Sequence, residues 1–576
     1  MLNKYTFLEL KRASKQKQEN GLKLAVIGEF ATQHLTMATA GYAYKEHQPL
    51  EILDCDYDQM DAQILNPQSE TYEYHPDFVL FAVCSEKLYK KFCGTPVDER
   101  KNFAEQQYEV LKNYWGTLSQ YSNTKILQMN YEEADDGVWG NYAGKSDISF
   151  LYQVRKLNLY LMQGAQEHKN LFLIDVCRLA CQYGQEAFKD DKFYYIAKIP
   201  FSQKALAGLA GEIVSVIKAV TGKIIKCVVT DLDNTLWGGI IGDDGLEGIQ
   251  IGELGDGQAF TEIQKWLKEL KKRGILLAVC SKNNEEAAKL PFEKHPDMEL
   301  KLADFAVFVA NWDDKAANIR KIQKTLNIGM DSIVFLDDNP RERDVVRTLI
   351  PEVIVPELPE DPALYLSYLK QCGLFETASY SHEDHERTEQ YQAESVRRDI
   401  LNNSQSYEVY LQEMDMTAEA KPFDEFYYPR IAQLSQRSNQ FNLRTVRYTE
   451  DEIRKLAGDR EYLTLYFTLK DRLGSYGLIS VVVLKKIDKE TLFIENWLMS
   501  CRVLKRSMEE FIVNKIIYVA EQNGFQKVIG EYKKTAKNSM VEKIYERMGF
   551  YHENDGIYTV KVSDYKKNQT YIKEEM

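Results

Sequence analysis

Short apolar runs alternate along this chain with longer segments of helical period. Near the start, residues 22–29, 77–83 and 170–175 are brief and almost wholly apolar, which predicts buried strands. Residues 103–121 and 149–167 between them read as helices, so this part predicts a parallel sheet with helices on both faces. A second set of runs, 224–229, 274–281 and 333–336, has the same character, with a further short strand expected at 353–355. Within it, 257–273 places Phe260, Ile263, Leu267 and Leu270 on one face, the pattern of an amphipathic helix on a sheet. Further on, strands are expected at 463–469, 478–484, 492–497 and 527–530, around a turn at 471–477. Helices are expected at 507–523 and 542–550.

These blocks divide the chain into residues 1–220, 221–373, a charged and mostly helical connector at 374–421, and 422–576. At 576 residues the chain is too long for one core. The connector contains Glu383, Asp384, Glu386, Arg387 and Glu389, the character of a solvated linker.

Composition narrows the classes. A net charge of −14 with no basic stripe argues against non-specific nucleic-acid binding. Nine cysteines without a C-x-x-C pair indicate neither a disulfide framework nor a zinc site. Cys177 and Cys181, four residues apart, are expected in the core. No apolar run approaches a membrane span, and the start of the chain has no hydrophobic leader. A soluble, reducing, cytoplasmic setting is therefore expected.

The candidate chemistry lies at the ends of the middle strands. The first ends on Asp231-Leu232-Asp233-Asn234-Thr235, and ligands collect outside the carboxyl ends of strands in open α/β sheets. Two acids so close need a cation or a proton between them, and a hard ion such as Mg²⁺ suits carboxylates and substrate phosphate. The next strand ends on Cys280-Ser281-Lys282-Asn283; Lys315 opens a helix after Asn311-Trp312-Asp313-Asp314; the last strand ends on Asp337-Asp338-Asn339-Pro340. Residues 237–245 are glycine-rich and can form a short flap. Gly144-Lys145-Ser146 echoes the end of a P-loop, but Trp139 stands where a glycine is required.

Strand-acid, strand-Ser, helix-Lys and strand-Asp-Asp, in that order, resemble the four motifs of the haloacid dehalogenase (HAD) phosphotransferase superfamily. The stretches DLDNTLWGG, CSKNNEE, NWDDKAANI and FLDDNPRER are similar to its FkbH branch, and EDHERTEQY in the connector also fits that pattern. The resemblance implies an α/β, multidomain chain: an SGNH-hydrolase-like, flavodoxin-like parallel sheet, a capless HAD Rossmannoid domain and a GNAT-like (acetyltransferase-type) mixed α/β domain. The stretch between Ser281 and Lys315 has room for a helix and a strand but not for a large cap, which suits a substrate carried on a macromolecule.

The resemblance also implies roles. Asp231 is the expected nucleophile or phosphoryl contact, and Asp233 the general acid and base. Ser281, Lys315 and Asn283 are expected to bind phosphoryl oxygens. Asp231, Asp233, Asp337 and Asp338 are the expected Mg²⁺ set, with the choice between Asp337 and Asp338 left open. Cys280, beside Ser281, is a candidate nucleophile for a thioester relay, although strand alternation could turn it to the core. Arg341 and Arg343 are read as surface ion-pairing residues, with contact to a second phosphate as the alternative.

In the first domain a working SGNH site needs a serine after the first strand and a late Asp-x-x-His. Phe30 and Ala31 follow Gly28-Glu29, and no histidine follows Asp191 in the required place. His34 is read as structural, and the domain as a non-hydrolytic scaffold or docking surface. In the last domain the Arg-x-x-Gly-x-Gly turn that binds CoA pyrophosphate in GNAT proteins is replaced by Arg502-Val503-Leu504-Lys505-Arg506-Ser507. Arg502, Lys505, Arg506, Ser507, Asn538 and Tyr545 are the candidate contacts there. A phosphopantetheine arm is the first reading, with CoA or a purely structural turn as alternatives. Cys501 is a second thiol candidate, with burial in the core as the stronger reading.

The expected function is therefore transfer of a three-carbon acyl group (glyceryl, from 1,3-bisphosphoglycerate) to an acyl carrier protein with release of phosphate. The alternatives are a plain HAD phosphatase and a non-catalytic scaffold.

Overall fold

The computed structural model describes residues 4–575 except 17, 19, 123, 381–389, 391, 392, 394–396, 398, 399, 402, 403, 439 and 536. The expectations for Glu383, Asp384, Glu386, Arg387 and Glu389 lie outside the described residues. The chain forms two compact units, Met1–Ala219 and Val220–Met576.

In the first unit, strands β1 (Leu22–Gly28), β2 (Leu50–Asp54), β3 (Phe78–Ala82), β4 (Lys125–Met129) and β5 (Leu171–Ile174) form one parallel sheet. Its order, β2-β1-β3-β4-β5, is that of flavodoxin-like folds. β2 and β4 are absent from the sequence reading: β2 is only half-buried and carries Glu51 and Asp54, and β4 holds the polar Gln128. Gln128 accepts a 3.0 Å hydrogen bond from the Trp115 indole, which makes it tolerable in the core. Cys181 is exposed and Cys177 half-buried, so neither belongs to the core as expected.

At the carboxyl ends of these strands, Lys189 pairs with both Glu86 and Glu132, and Lys91 with Glu29 at 2.7 Å. His34 lies between the rings of Phe7 and Phe193, and burial holds its imidazole below the usual range.

The second unit carries two sheets. β6 (Cys227–Thr230), β7 (Leu276–Ser281), β8 (Phe305–Ala310) and β9 (Ile333–Leu336) are parallel, in the order β8-β7-β6-β9. β6, β7 and β9 are buried on both faces, as continuous apolar runs require. Alternation divides them: Val228, Leu277, Val279 and Val334 pack toward helix Gly255–Lys272, while Cys227, Val229, Ala278 and Cys280 pack toward helix Lys315–Leu326. Instead of the strand expected at 353–355, Ile354 makes a single bridge to Val334.

The second sheet is mixed, with β10 (Thr417–Lys421), β11 (Tyr462–Asp471), β12 (Gly474–Lys486), β13 (Thr491–Met499), β14 (Lys527–Glu531), β15 (Tyr551–Asn554), β16 (Ile557–Lys561) and β17 (Lys573–Glu574). The order β15-β16-β14-β13-β12-β11-β10-β17, with β13 and β14 parallel, is an acetyltransferase-type arrangement. β10 falls within the stretch read as a connector, yet its Ala418 and the preceding Met414 and Met416 belong to this domain's core. The turn expected at 471–477 is tighter, since the strands pair down to Asp471 and Gly474. The helix expected at 542–550 shortens to Ile544–Arg547.

Candidate active site

β6 is the switch point of its sheet: the chain leaves it for β7 on one side, and β9 returns on the other. A crevice forms at such a point, outside the strand ends. Asp231 follows β6, its N–H bonded to Leu336 O at 2.8 Å, and Asp337 and Asp338 follow β9. Lys315 is presented by the first turn of its helix, which Asp314 caps by accepting from Ala317 N at 3.0 Å. Its ammonium donates to Asp231 at 2.6 Å and to Asp337 at 2.5 Å. Lys315 is 2% exposed and Asp337 0% exposed, so this is a buried charge cluster.

Burial, and next the Asp231 charge, push the Asp337 carboxyl up to about 7, against the pull of Lys315. Burial chiefly raises Asp338 as well. For Lys315, burial acts to lower the pKa, but the Asp231 and Asp337 carboxylates outweigh it and leave the ammonium raised. The cluster therefore holds more carboxylate than one lysine compensates. Asp231, Asp337 and Asp338 each offer an oxygen, all within 4.8 Å of one another. Three hard oxygen donors so close fit a divalent cation that takes oxygen ligands.

Asp233 stands apart from the lysine. Its carboxylate accepts from the Trp237 indole at 2.9 Å, Ile241 N at 3.0 Å and the Asn283 amide at 2.8 Å. Burial nevertheless raises its pKa, which favours a group able to hold a proton. Asn283 therefore ties the end of β7 to Asp233. Ser281 is buried at the end of β7, the strand paired with β6. Thr235 joins the first and last motifs, accepting from Asp338 N at 3.2 Å.

Arg343 was expected at the surface, yet it is 3% exposed. Its guanidinium donates to the Asp337 and Asp338 carbonyls at 2.8 and 2.7 Å and to Glu357 at 2.6 Å, clamping the loop that presents the two acids. Arg341 is exposed. The roles of Trp237 and Arg343 escaped the sequence, where one reads as flap and the other as surface charge. The only signal is their spacing, four residues after Asp233 and six after Asp337.

Between Asp233 and Ser281 lie two helices, Ile241–Gly248 and Gly255–Lys272; between Ser281 and Lys315 lie helix Glu285–Lys294, one 3-10 turn and β8. No cap domain is inserted at either place.

The model of the "FkbH, N-terminal domain" family matches residues 23–218. The crystal structure of the N-terminal part of the protein BF1531 from Bacteroides fragilis, containing a phosphatase domain complexed with Mg, is 46% identical to this chain. That match covers 65% of this chain and 100% of the other, with a TM-score of 0.63. The chain belongs to the FkbH-like, HAD phosphatase-type family. Partial likenesses extend to the ribosomal-protein-S18-alanine N-acetyltransferase of Escherichia coli (15% identity, 27% of this chain, 99% of that one, TM-score 0.21). A spermidine N-acetyltransferase from Vibrio cholerae is also similar (14%, 26% of this chain, 98% of that one, TM-score 0.21). Neither bears on what the domain does. The curated proteins gave no match.

In this FkbH-like chain the expectation of a nucleophilic Cys280 is corrected. The thiol is 0% exposed, sits in the apolar cluster with Val229, Ala278 and Ile319, and donates to Lys315 O at 3.7 Å. Burial pushes it far above the usual thiol range. Strand alternation turned Cys280 to the core. Cys501, by contrast, is only half-buried, and its thiol donates to Asn327 O at 3.4 Å.

The candidate contacts of the acetyltransferase-type domain are engaged internally. Arg506 is buried, donates to the Tyr410 hydroxyl at 2.7 Å and lies over the Tyr476 ring. Arg502 donates to Gln390 and to Tyr476 O. Lys505 O accepts from the Tyr407 hydroxyl, and Ser507 Oγ accepts from Tyr571 N at 3.0 Å. The buried Asn538 amide donates to Asn442 O and Lys533 O at 3.0 and 2.8 Å. Tyr545 is 0% exposed among Trp497, Phe550 and Tyr558. Of the six, Arg506, Ser507, Asn538 and Tyr545 are buried, Arg502 is half-buried and Lys505 is exposed. Among the described residues, no helix is long and apolar enough to cross a membrane.

A pH dependence follows from the acid cluster. A cation binding there must displace the proton that Asp337 carries below about 7. Titration with Mg²⁺ at fixed ionic strength is expected to show affinity rising with pH, by up to about tenfold per unit below that point, and levelling above it. An affinity independent of pH between 5 and 8 (roughly the span over which Asp337 would titrate) would exclude a displaced proton.

Proposed function

We propose that this FkbH-like chain is a Mg²⁺-dependent enzyme that takes a phosphorylated three-carbon acyl donor, releases phosphate and loads the acyl group onto an acyl carrier protein. The observation that carries the proposal is the Asp231–Asp337–Asp338 cluster bridged by Lys315 at the switch point of a sheet without an inserted cap. Asp231, Asp337 and Asp338, with the Asp233 carbonyl, would hold Mg²⁺, which offsets phosphate charge when bound. Asp231 contacts the phosphorus, as nucleophile where a phosphoester is cleaved. Asp233 delivers a proton to the leaving oxygen from a site its three donors keep in place. Lys315 and Ser281 hold phosphoryl oxygens. In the acyl step the carrier's thiolate attacks the acyl carbon, the carbon–oxygen bond to phosphate breaks, and phosphate leaves with the electron pair.

Hydrolysis alone is the second reading, favoured by the likeness to a structure that contains a phosphatase domain complexed with Mg; the burial of Cys280 speaks only against storing the acyl group as a thioester on this chain. The two separate in one assay with Mg²⁺, labelled 1,3-bisphosphoglycerate and phosphopantetheinylated carrier proteins. A labelled three-carbon adduct on the carrier supports transfer, free phosphate without adduct supports hydrolysis, and neither product refutes both. The Cys280→Ala variant is expected to transfer or hydrolyse at the parent rate, checked by the same assay. Loss of transfer with phosphate release intact would restore the thioester route.

A further inference from the structure

An acetyltransferase-type sheet implies a slot for CoA or a pantetheine arm, and the residues of this chain do not fit one. β13 and β14 pair in parallel only from Thr491/Lys527 to Ile494/Gly530, and β13 then runs on to Met499. Diverging parallel strands leave backbone donors and acceptors that an extended amide ligand could satisfy. Here the chain's own residues 441–443 satisfy them. Leu443 N donates to Trp497 O at 3.1 Å, Met499 N to Phe441 O at 3.0 Å, and Lys533 N to Leu443 O at 2.8 Å. Asn442 bridges Leu498 in the antiparallel sense.

The insertion is fixed from several sides. Phe441 and Leu443 are 1% and 0% exposed, and Phe441 packs edge-on against Trp497. Arg444 reaches both splayed strands, pairing with Glu495 of β13 at 2.7 Å and Glu531 of β14 at 2.5 Å. The pyrophosphate end is occupied too. Ser507 and Lys505 adopt left-handed backbone where the glycines would stand. The buried Glu509 carboxylate accepts from Lys505 N at 3.2 Å, in the position where an anion would meet the helix N-terminus. Thr570 and Tyr571 bond over Ser507.

We infer that this domain is closed to CoA and to pantetheine in the acetyltransferase manner: residues 441–443 stand in for the arm, and Glu509 stands in for the pyrophosphate. The inference is independent of the phosphate chemistry proposed above. Its consequence is that an acyl group handled by this chain does not pass through a CoA-bound stage in this domain.

The test uses the full chain. In ligand-free protein the amides of Leu443, Met499 and Lys533 are expected to exchange hydrogen as slowly as those of the β12 core; rapid exchange would show a mobile segment and overturn the inference. Equilibrium dialysis against labelled acetyl-CoA and CoA at millimolar concentration is expected to give no saturable binding. Binding that alters exchange at these amides or at residues 507–511 overturns the inference. Binding that leaves them unchanged lies elsewhere on the chain and upholds it.

Discussion

Asp231→Asn is expected to lower phosphate release by about 10⁴-fold or more while leaving the fold intact. The substitution keeps the side-chain shape but removes the charge that faces phosphorus and the cation. Lys315 retains its 2.5 Å partner Asp337, so no buried ammonium is stranded. The repulsion that helps raise Asp337 is relieved, so the metal-free variant should melt no lower than the parent. Single-turnover phosphate release together with thermal melting checks both halves. Residual turnover within about tenfold of the parent would remove Asp231 from the chemistry.

Lys315→Met should have the largest effect on stability. Deleting one partner of a buried ion cluster leaves uncompensated charge, which costs about 3–5 kcal/mol, or roughly 10 °C in Tm for a domain of this size. The sign with pH follows from Asp337. Its folded pKa, about 7, lies above its ordinary value of 3.8. Its contribution to stability is therefore fully present below that ordinary value and is lost as pH rises through about 7. The penalty in the variant should accordingly be smaller at pH 6 than at pH 8 (roughly one unit to either side of about 7). Mg²⁺ should restore part of the loss. Melting curves with and without Mg²⁺ at both values decide it, and a variant as stable as the parent at alkaline pH without metal would contradict the burial of this cluster.

The family-level reading was legible because its signals are local. An apolar run, an acid pair at its end and a helix-opening lysine follow one another in the chain, and each depends on residues within a few positions. β2 and β4 were not legible, because half-burial or a hydrogen-bonded glutamine blurs the apolar run. Arg343 was illegible for another reason. Its carbonyl acceptors belong to the loop before its helix, and only their approach to the guanidinium explains a buried arginine.

The sequence by itself determined the alternation of strands and helices in the middle domain, the acids at its strand ends and the absence of room for a cap, since all three depend on spacing along the chain. Tertiary structure decided which way each side chain turns and what fills each gap. Cys280 and Ser281 are adjacent in sequence, yet the sheet sends the thiol into the core beneath helix Lys315–Leu326. Likewise, no local pattern marks residues 441–443 as the filling between β13 and β14. That outcome rests on hydrogen bonds between segments some 50 to 90 residues apart (Leu443 to Trp497 and to Lys533), and such pairings are settled only when the whole domain folds.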